Sequence, residues 1–269
     1  MFEGPAQVAL FSLVIYVLTF LVTTMVHELA HAITSVALGG RPTLHHVFVR
    51  HRGLSGGPRA LVAAAGPLFS LVQGLACVAA LPLAGPEPSA AGLALLWLAL
   101  HGLVNFFGYL ITTPFVPSGD LGKVAAYLGL PAAGRWGLFA AGLLATAWIG
   151  ERAAAPLLAF VVDPAATLDA GARTAHVLAI GVAPWILGSV VIGAASKPAP
   201  HWISYVYPAS AGFFLLVTLG RVRDLEPAPP TAPLWIDAPL WPWLLALAGV
   251  LLVFRRVLLP GVDLGRGPR

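Results

Sequence analysis

The stretch "TTMVHELAHAIT", Thr23–Thr34, lies inside an apolar run that begins near Val8 and continues to Leu38. It holds three ionisable side chains, which belong to His27, Glu28 and His31. Each such group costs about 2.5 kcal/mol or more at the centre of a membrane helix unless something compensates for its burial. The rest of the sequence must therefore account for three polar groups where lipid is expected.

The composition of the 269-residue chain is that of a membrane protein. Hydrophobic residues make up 58% of it and charged residues only 10%, whereas soluble domains are about 25% charged. The mean hydropathy is +0.87. The net charge of +4 is modest and lies in loops, so it bears on membrane topology and does not indicate nucleic acid as a partner. The single cysteine, Cys77, excludes an internal disulfide and a cysteine-rich zinc site.

Seven apolar runs approach or exceed the length of a transmembrane helix. The predicted spans are 8–38, 60–83, 91–113, 135–160, 174–195, 203–220 and 237–258. In the fourth run Glu151 and Arg152 would lie deep in the membrane if the helix continued, so the simpler prediction ends it near Gly150. The sequence predicts an all-α polytopic membrane protein with six or seven transmembrane helices.

The positively charged residues predict the orientation of the chain. The N-terminus is expected outside, and the first loop and the 114–134 loop, which holds Lys123, are expected in the cytoplasm. Arg221 and Arg223 would fall outside if all seven runs spanned, so six spans are an alternative. Arginine outnumbers lysine and Ala, Gly and Pro are abundant, which is typical of a GC-rich bacterial genome and indicates the bacterial cytoplasmic membrane. The arginines of the first loop are Arg41, Arg50, Arg52 and Arg59.

His27-Glu28-Leu29-Ala30-His31 is an H-E-x-x-H motif on a predicted helix. Residues four apart lie one turn apart on one helix face, so both imidazoles can reach a single ion. Glu28 lies beside them and is free to act on a metal-bound water. A divalent cation held by neutral imidazoles would supply the compensation that these buried groups need.

A catalytic zinc site needs a third protein ligand. Asp120 lies in "TTPFVPSGDLGK", where Pro114 and Pro117 break the third helix and free the backbone to line a cavity. An ordinary helix-capping aspartate on a cytoplasmic loop is an equal alternative, with Ser118 and Gly119 as turn residues. On the residues alone the third ligand stays open. The candidates are His45, His46, His51, His101, Asp120 and His176.

Three segments resemble the site-2 protease family of intramembrane zinc metallopeptidases. "VHELAHAITSVALGG" is similar to the metal-binding helix of that family and its closing glycine turn. "RALVAAAGPLFSLV" contains the Ala-Gly-Pro signature of the second helix, here Ala65-Gly66-Pro67. "NFFGYLITTPFVPSGDLGK" is similar to the third-helix motif, an Asn followed by prolines and a metal-binding Asp. The match covers about residues 8–125.

The resemblance implies one Zn²⁺ per chain, bound by His27, His31 and Asp120, with Glu28 as the general base. It also implies that Asn105 lies near the substrate or the oxyanion. Two features differ from the commonest family pattern: the interval from the Asn to the Asp is longer, and a leucine replaces the Gly that usually follows the Asp.

The same resemblance divides the chain into two parts. Residues 1–130 would form a three-helix metalloprotease core, and residues 131–269 would add transmembrane helices of unknown role. "PTLHHVFVRHRG" combines β-favouring residues at 43 and 47–49 with flanking turn residues, which predicts a possible short membrane-associated β-hairpin. The expected partners are the lipid bilayer and a membrane protein substrate with a transmembrane segment.

Two other classes of protein carry similar motifs. The first is a catalytically inactive metal-binding membrane scaffold, whose metal site would be structural. The second is a membrane di-iron hydroxylase, because His27 and His31 also read H-x-x-x-H. Such an enzyme needs further histidine clusters, and His45-His46 lacks a histidine at position 42, where Pro42 stands.

Overall fold

The structure is a computed structural model and describes residues 5–85, 89–160, 168–200, 202–225 and 239–265. Residues 237–238, the start of the last predicted span, lie outside the described residues. The helices are α1 (Pro5–Ala37), α2 (Gly56–Ala80), α3 (Ala90–Thr112), α4 (Asp120–Tyr127), α5 (Ala132–Leu158), α6 (Ala170–Val177), α7 (Ala183–Ala195), α8 (Ile203–Ser210), α9 (Phe214–Arg223) and α10 (Trp241–Leu252). The strands are β1 (Thr43–Leu44), β2 (Val49–Arg50) and β3 (Val262–Asp263).

Within the described residues, six helical segments are long and apolar enough to cross a membrane. Most of the fold is helical and the only sheet described is small, in agreement with the predicted all-α membrane protein. Some of these segments are longer than a single α-helix. A 3₁₀ turn extends α2, and π-helical turns follow α6 and α10. The six segments are Ala6–Ala37, Gly56–Ala84, Ala90–Thr112, Ala170–Ala195, Ile203–Arg223 and Trp241–Leu258.

Helix α5 corresponds to the fourth predicted span but is not one of these six. The charged side chains of Arg135, Glu151 and Arg152 make it less apolar than the others. The helix continues to Leu158, so the prediction that it ends near Gly150 is wrong. Its last two turns place buried side chains such as Leu157 in the core, and this packing extends the helix.

Helices α1 and α3 form the centre of the molecule. They are the most buried of the six segments, with 67% and 61% of their most apolar windows inside the protein, against 11% for the segment that begins at Trp241. Tyr16 of α1 meets Trp97 of α3 edge to face, with ring centroids 4.8 Å apart, and both side chains are fully buried. His27, Glu28 and His31 therefore lie on the helix that is most buried within the protein.

Helices α2 and α3 approach each other closely at Gly102. A Cβ atom on Gly102 would lie 2.6 Å from the Ser70 carbonyl oxygen and 2.7 Å from the Gly74 amide nitrogen, so only glycine fits there. Small residues permit such approach between membrane helices. The Gln73 amide then joins three helices by donating to the Thr23 hydroxyl (2.8 Å) and to the Leu98 carbonyl (3.3 Å).

The predicted hairpin is present, and it belongs to a larger sheet than expected. β1 pairs antiparallel with β2, and β1 also pairs antiparallel with β3 near the end of the chain. The strand order is β2-β1-β3, so β1 is central and β2 is an outer strand. The predicted loop 114–134 also differs from expectation, because it contains helix α4.

Candidate metal centre

His27, His31 and Asp120 form a buried group that could hold a metal ion. His31 Nε2 lies 3.1 Å from His27 Nε2 and 3.1 Å from Asp120 Oδ2, and His27 Nε2 lies 3.4 Å from the same carboxylate oxygen. The two imidazoles meet because they lie four residues apart on α1. Asp120 is the first residue of α4 and comes from 89 positions further along the chain.

Each imidazole is oriented by a partner on its other nitrogen. The Nδ1–H of His31 donates to the Val62 carbonyl oxygen at 2.6 Å. The Nδ1–H of His27 donates to Ser70 Oγ at 3.1 Å, and the Ser70 hydroxyl in turn donates to the Gly66 carbonyl. In their neutral forms both rings therefore carry the proton on Nδ1 and direct the Nε2 lone pair toward Asp120. Such outer partners fix the tautomer and orientation of metal-binding histidines.

The donor atoms fit a divalent cation. Two Nε2 lone pairs and one carboxylate oxygen face one another at 3.1–3.4 Å, which is unfavourable unless a positive charge lies between them. Three donors at 2.0–2.1 Å from one tetrahedral ion would be about 3.3 Å apart, close to the observed separations. The residues present are thus suited in chemistry and spacing to a small metal ion.

The backbone of α2 forms a wall of this group at Gly66. A Cβ atom on Gly66 would lie 2.6 Å from His27 Nε2 and would also collide with Nε2 of His31. Any side chain here would occupy the space between the two imidazole nitrogens. The Ala-Gly-Pro segment therefore permits close approach of the helices and also keeps the space between the two imidazole nitrogens open.

The Asp120 carboxyl is held in its ionised form. Burial alone would raise the pKa of Asp120, but the positive charge of a protonated His31 and hydrogen bonds from the two imidazoles outweigh burial and hold this pKa well below its ordinary value. Lys123, three residues further along α4, places its Nζ 3.4 Å from the other carboxylate oxygen. An ionised carboxylate is the form that binds metal ions.

Glu28 is not a member of this candidate group, but its side chain lines the cavity that the three residues also border. The cavity has a volume of about 260 Å³ and is bounded by α1, the hairpin, α3, α4 and α8. Glu28 is 8% exposed. Val47–Val49 of the hairpin and Tyr207 of α8 also line it, so residues beyond 130 contribute to the walls.

Asn105 also lines the cavity, on the face of α3 that is directed toward α1. Its side chain is 7% exposed, its Oδ1 has no hydrogen-bond partner, and it lies within reach of His27 and Tyr207. Tyr109, one turn further along the same face, was not predicted from the sequence. Its hydroxyl lies 3.3 Å from His27 Nε2. The i, i+4 spacing from Asn105 is a signal that could have identified it.

The remaining histidines among the described residues lie away from the group. His101 packs between aromatic rings of α1 and α3, with its Nε2 3.2 Å from the Tyr16 carbonyl oxygen. His46 contacts the Ser196 carbonyl oxygen. His51 lines the cavity, but its ring centre is 6.4 Å from that of His31. His45 and His176 also stand outside the metal-binding group, the single such group found in the described part of the chain.

No family model, no curated protein and no solved structure matches the chain.

Proposed function

We propose that the chain is an intramembrane zinc metallopeptidase. It would hydrolyse a peptide bond in or near a transmembrane segment of a membrane protein substrate. His27, His31 and Asp120 would hold one zinc ion per chain, and Glu28 would be the general base. The observation that carries this proposal is the convergence of three metal-binding atoms at a cavity where a further carboxylate, that of Glu28, stands beside them without belonging to the group.

The chemistry follows from these positions. A bound zinc ion would polarise the carbonyl of the scissile peptide and lower the pKa of the attacking water. Glu28 accepts the proton of that water as its oxygen bonds to the carbonyl carbon. Glu28 then delivers the proton to the amide nitrogen as the C–N bond breaks, leaving an amine and a carboxylic acid, which releases its remaining proton to solvent and becomes a carboxylate. Asn105 supports the substrate from α3, where its unpartnered Oδ1 is available to a peptide N–H.

The hairpin supplies a support for an extended substrate. His45 N–H donates to the Phe48 carbonyl and Arg41 N–H to the Arg52 carbonyl, so the backbone groups of 48 and 52 are directed toward the β1 side. Alternate residues of a strand direct these groups to opposite sides, so Val49 directs its N–H and C=O outward. Val49 also lines the cavity. A substrate strand that pairs with the outer edge of β2 would pass the metal group.

We also propose that the site opens toward the cytoplasmic side of the membrane. The arginine-rich segment between α1 and α2 and Lys123 lie on the side to which the cavity belongs, and positive charge favours the cytoplasmic face. The proposed location is the bacterial cytoplasmic membrane, with the site directed toward the cytoplasm.

The decisive variant is Glu28→Gln in the full chain, purified in detergent. Zinc content should stay at that of the wild type, because the amide leaves the three metal-binding residues in place. Cleavage of a quenched fluorescent peptide with a leucine- and alanine-rich segment of transmembrane length should fall by about 100-fold or more. Glu151→Gln, an exposed residue of α5, is the matched control and should cleave normally.

The other outcomes separate the alternatives. Cleavage that persists in Glu28→Gln shows that Glu28 is not the base. A wild type that holds metal and cleaves nothing, with no change in the variant, indicates a scaffold with a structural metal. Two irons per chain would indicate a hydroxylase, and one ferrous ion would fit the same two-histidine, one-carboxylate donor set used by iron oxygenases.

A further inference from the structure

Tyr109 stands next to the candidate metal-binding atoms and is not one of them. Its ring lies almost parallel to that of His27, with ring centres 5.3 Å apart and an angle of 9° between the planes. Its hydroxyl is 3.3 Å from His27 Nε2 and borders the cavity. Stacking on His27 leaves this hydroxyl little freedom to move away from the site.

The end of α3 fixes the backbone that carries Tyr109. Pro114 has no N–H, so the helix tightens and the Thr113 N–H donates to the Leu110 carbonyl (3.3 Å). The Tyr109 carbonyl thereby loses its regular amide partner. The hydroxyls of Thr112 and Thr113 replace it by donating to that carbonyl at 3.2 and 2.8 Å. The sequence "TTP" thus anchors Tyr109 where the helix ends.

The hydrogen-bonding capacity of the hydroxyl leads to a function. His27 carries its proton on Nδ1, so the Tyr109 O–H donates to the Nε2 lone pair only while no cation uses that lone pair. When a metal ion occupies the site, the O–H needs another acceptor. The carbonyl oxygen of a substrate in the cavity would be such an acceptor. Asn105 lines the same cavity one helical turn before Tyr109.

We propose that Tyr109 is a catalytic residue whose O–H donates a hydrogen bond to the substrate carbonyl oxygen as that oxygen becomes negative. The inference rests on the proposed peptidase function and deepens it. The water oxygen bonds to the carbonyl carbon, the π electrons move onto the carbonyl oxygen, and Tyr109 keeps its proton throughout. Glu28 carries the water proton to the amide nitrogen, so Tyr109 supplies charge stabilisation and no proton transfer.

The test compares wild type with Tyr109→Phe, which retains the ring that stacks on His27 and removes only the hydroxyl. The first measurement is zinc affinity by competition with a chelator, and we expect it to change less than twofold. The second is binding of a leucine-rich phosphinic peptide, in which an anionic tetrahedral PO₂ group replaces a peptide bond, to the zinc-loaded full chain. We expect binding about 10- to 100-fold weaker in the variant. Tyr127→Phe, an exposed tyrosine of α4, is the control and should match the wild type on both measurements.

Each other result overturns the inference. Equal phosphinate binding by Tyr109→Phe and wild type shows that the hydroxyl does not contact the tetrahedral group. Asp120 also lies within reach of the hydroxyl, and a tenfold or larger loss of zinc affinity would show that Tyr109 orients a metal-binding residue instead. If the wild type binds neither zinc nor the phosphinate, both the proposed function and this inference are wrong. If the wild type binds both and Tyr109→Phe binds them with the same affinities, only this inference is wrong.

Discussion

The α carbon of Gly66 faces His27 so closely that a Cβ atom would lie 2.6 Å from the imidazole Nε2. Glycine therefore has a role at this position that helix packing alone does not explain. His27 is held from its other side by Ser70, which is on the same helix as Gly66. The hydrogen bond to Ser70 therefore holds the ring against the helix from which a larger residue at position 66 would protrude.

Gly66→Ala should remove most metal binding. The added methyl group would displace both imidazole nitrogens from the positions in which they face Asp120. Changes beside metal-binding residues typically reduce metal affinity by about 10- to 100-fold, and this one meets two ligand atoms directly. Zinc affinity of the purified chain is the measurement. Gly137→Ala in α5, where a Cβ atom has nothing within 4 Å, should bind zinc normally, and unchanged affinity in Gly66→Ala would contradict the assignment.

Val49→Pro should reduce cleavage and leave the hairpin in place. Proline removes the N–H that Val49 directs away from β1, so β1 and β2 can still pair while a substrate strand loses a backbone donor. We expect KM for the quenched peptide to rise by about tenfold with zinc content unchanged. Val49→Ala retains the N–H and serves as the control. Equal KM values for the proline variant and this control would argue against strand pairing at β2.

Stability should decrease as the pH falls, partly through His46. Burial lowers the pKa of His46, although its hydrogen bond to the Ser196 carbonyl acts in the opposite direction. The unfolded chain, with a histidine pKa of about 6.5, therefore takes up a proton at a higher pH than the folded chain does. Stability from this group is present above about pH 6.5 and is lost as the pH falls below it.

His46→Gln isolates that contribution. The amide can still donate to the Ser196 carbonyl and cannot be protonated. Thermal unfolding midpoints of wild type and variant in detergent at pH 7.5 and 5.5 are the measurement. We expect the unfolding midpoint to decrease less between pH 7.5 and pH 5.5 in the variant than in the wild type. An identical decrease of the midpoint in both proteins would show that His46 does not contribute.

Much of the fold could be predicted because lipid imposes long apolar helices. The predicted spans correspond to helices within a few residues, and the β-favouring residues at 47–49 indicated the hairpin. The pairing of β3 with β1 could not be predicted, because two short strands 218 residues apart carry no pattern that identifies them as partners. Helix α5 was predicted to end early since its charged pair suggested a membrane boundary, whereas burial of its last turns extends it.

The candidate site was predictable to the extent that it follows from helical periodicity. The spacing of His27 and His31 places both rings on one face, but it carries no information on what holds their other nitrogens. Ser70 and the Val62 carbonyl do so from α2, which depends on how two helices pack. No pattern in the sequence indicates that α8, with Tyr207, lines the cavity.

The most direct test of the central claim is the metal content of the full chain purified in detergent, measured for the wild type and for Asp120→Ala. The account predicts about one zinc per wild-type chain, lost or strongly weakened in the variant, since the alanine removes the only carboxylate of the group. Asp224→Ala, an exposed residue at the end of α9, should retain the wild-type content. Zinc retained in full by Asp120→Ala, or no zinc in the wild type, would contradict the assignment of the site.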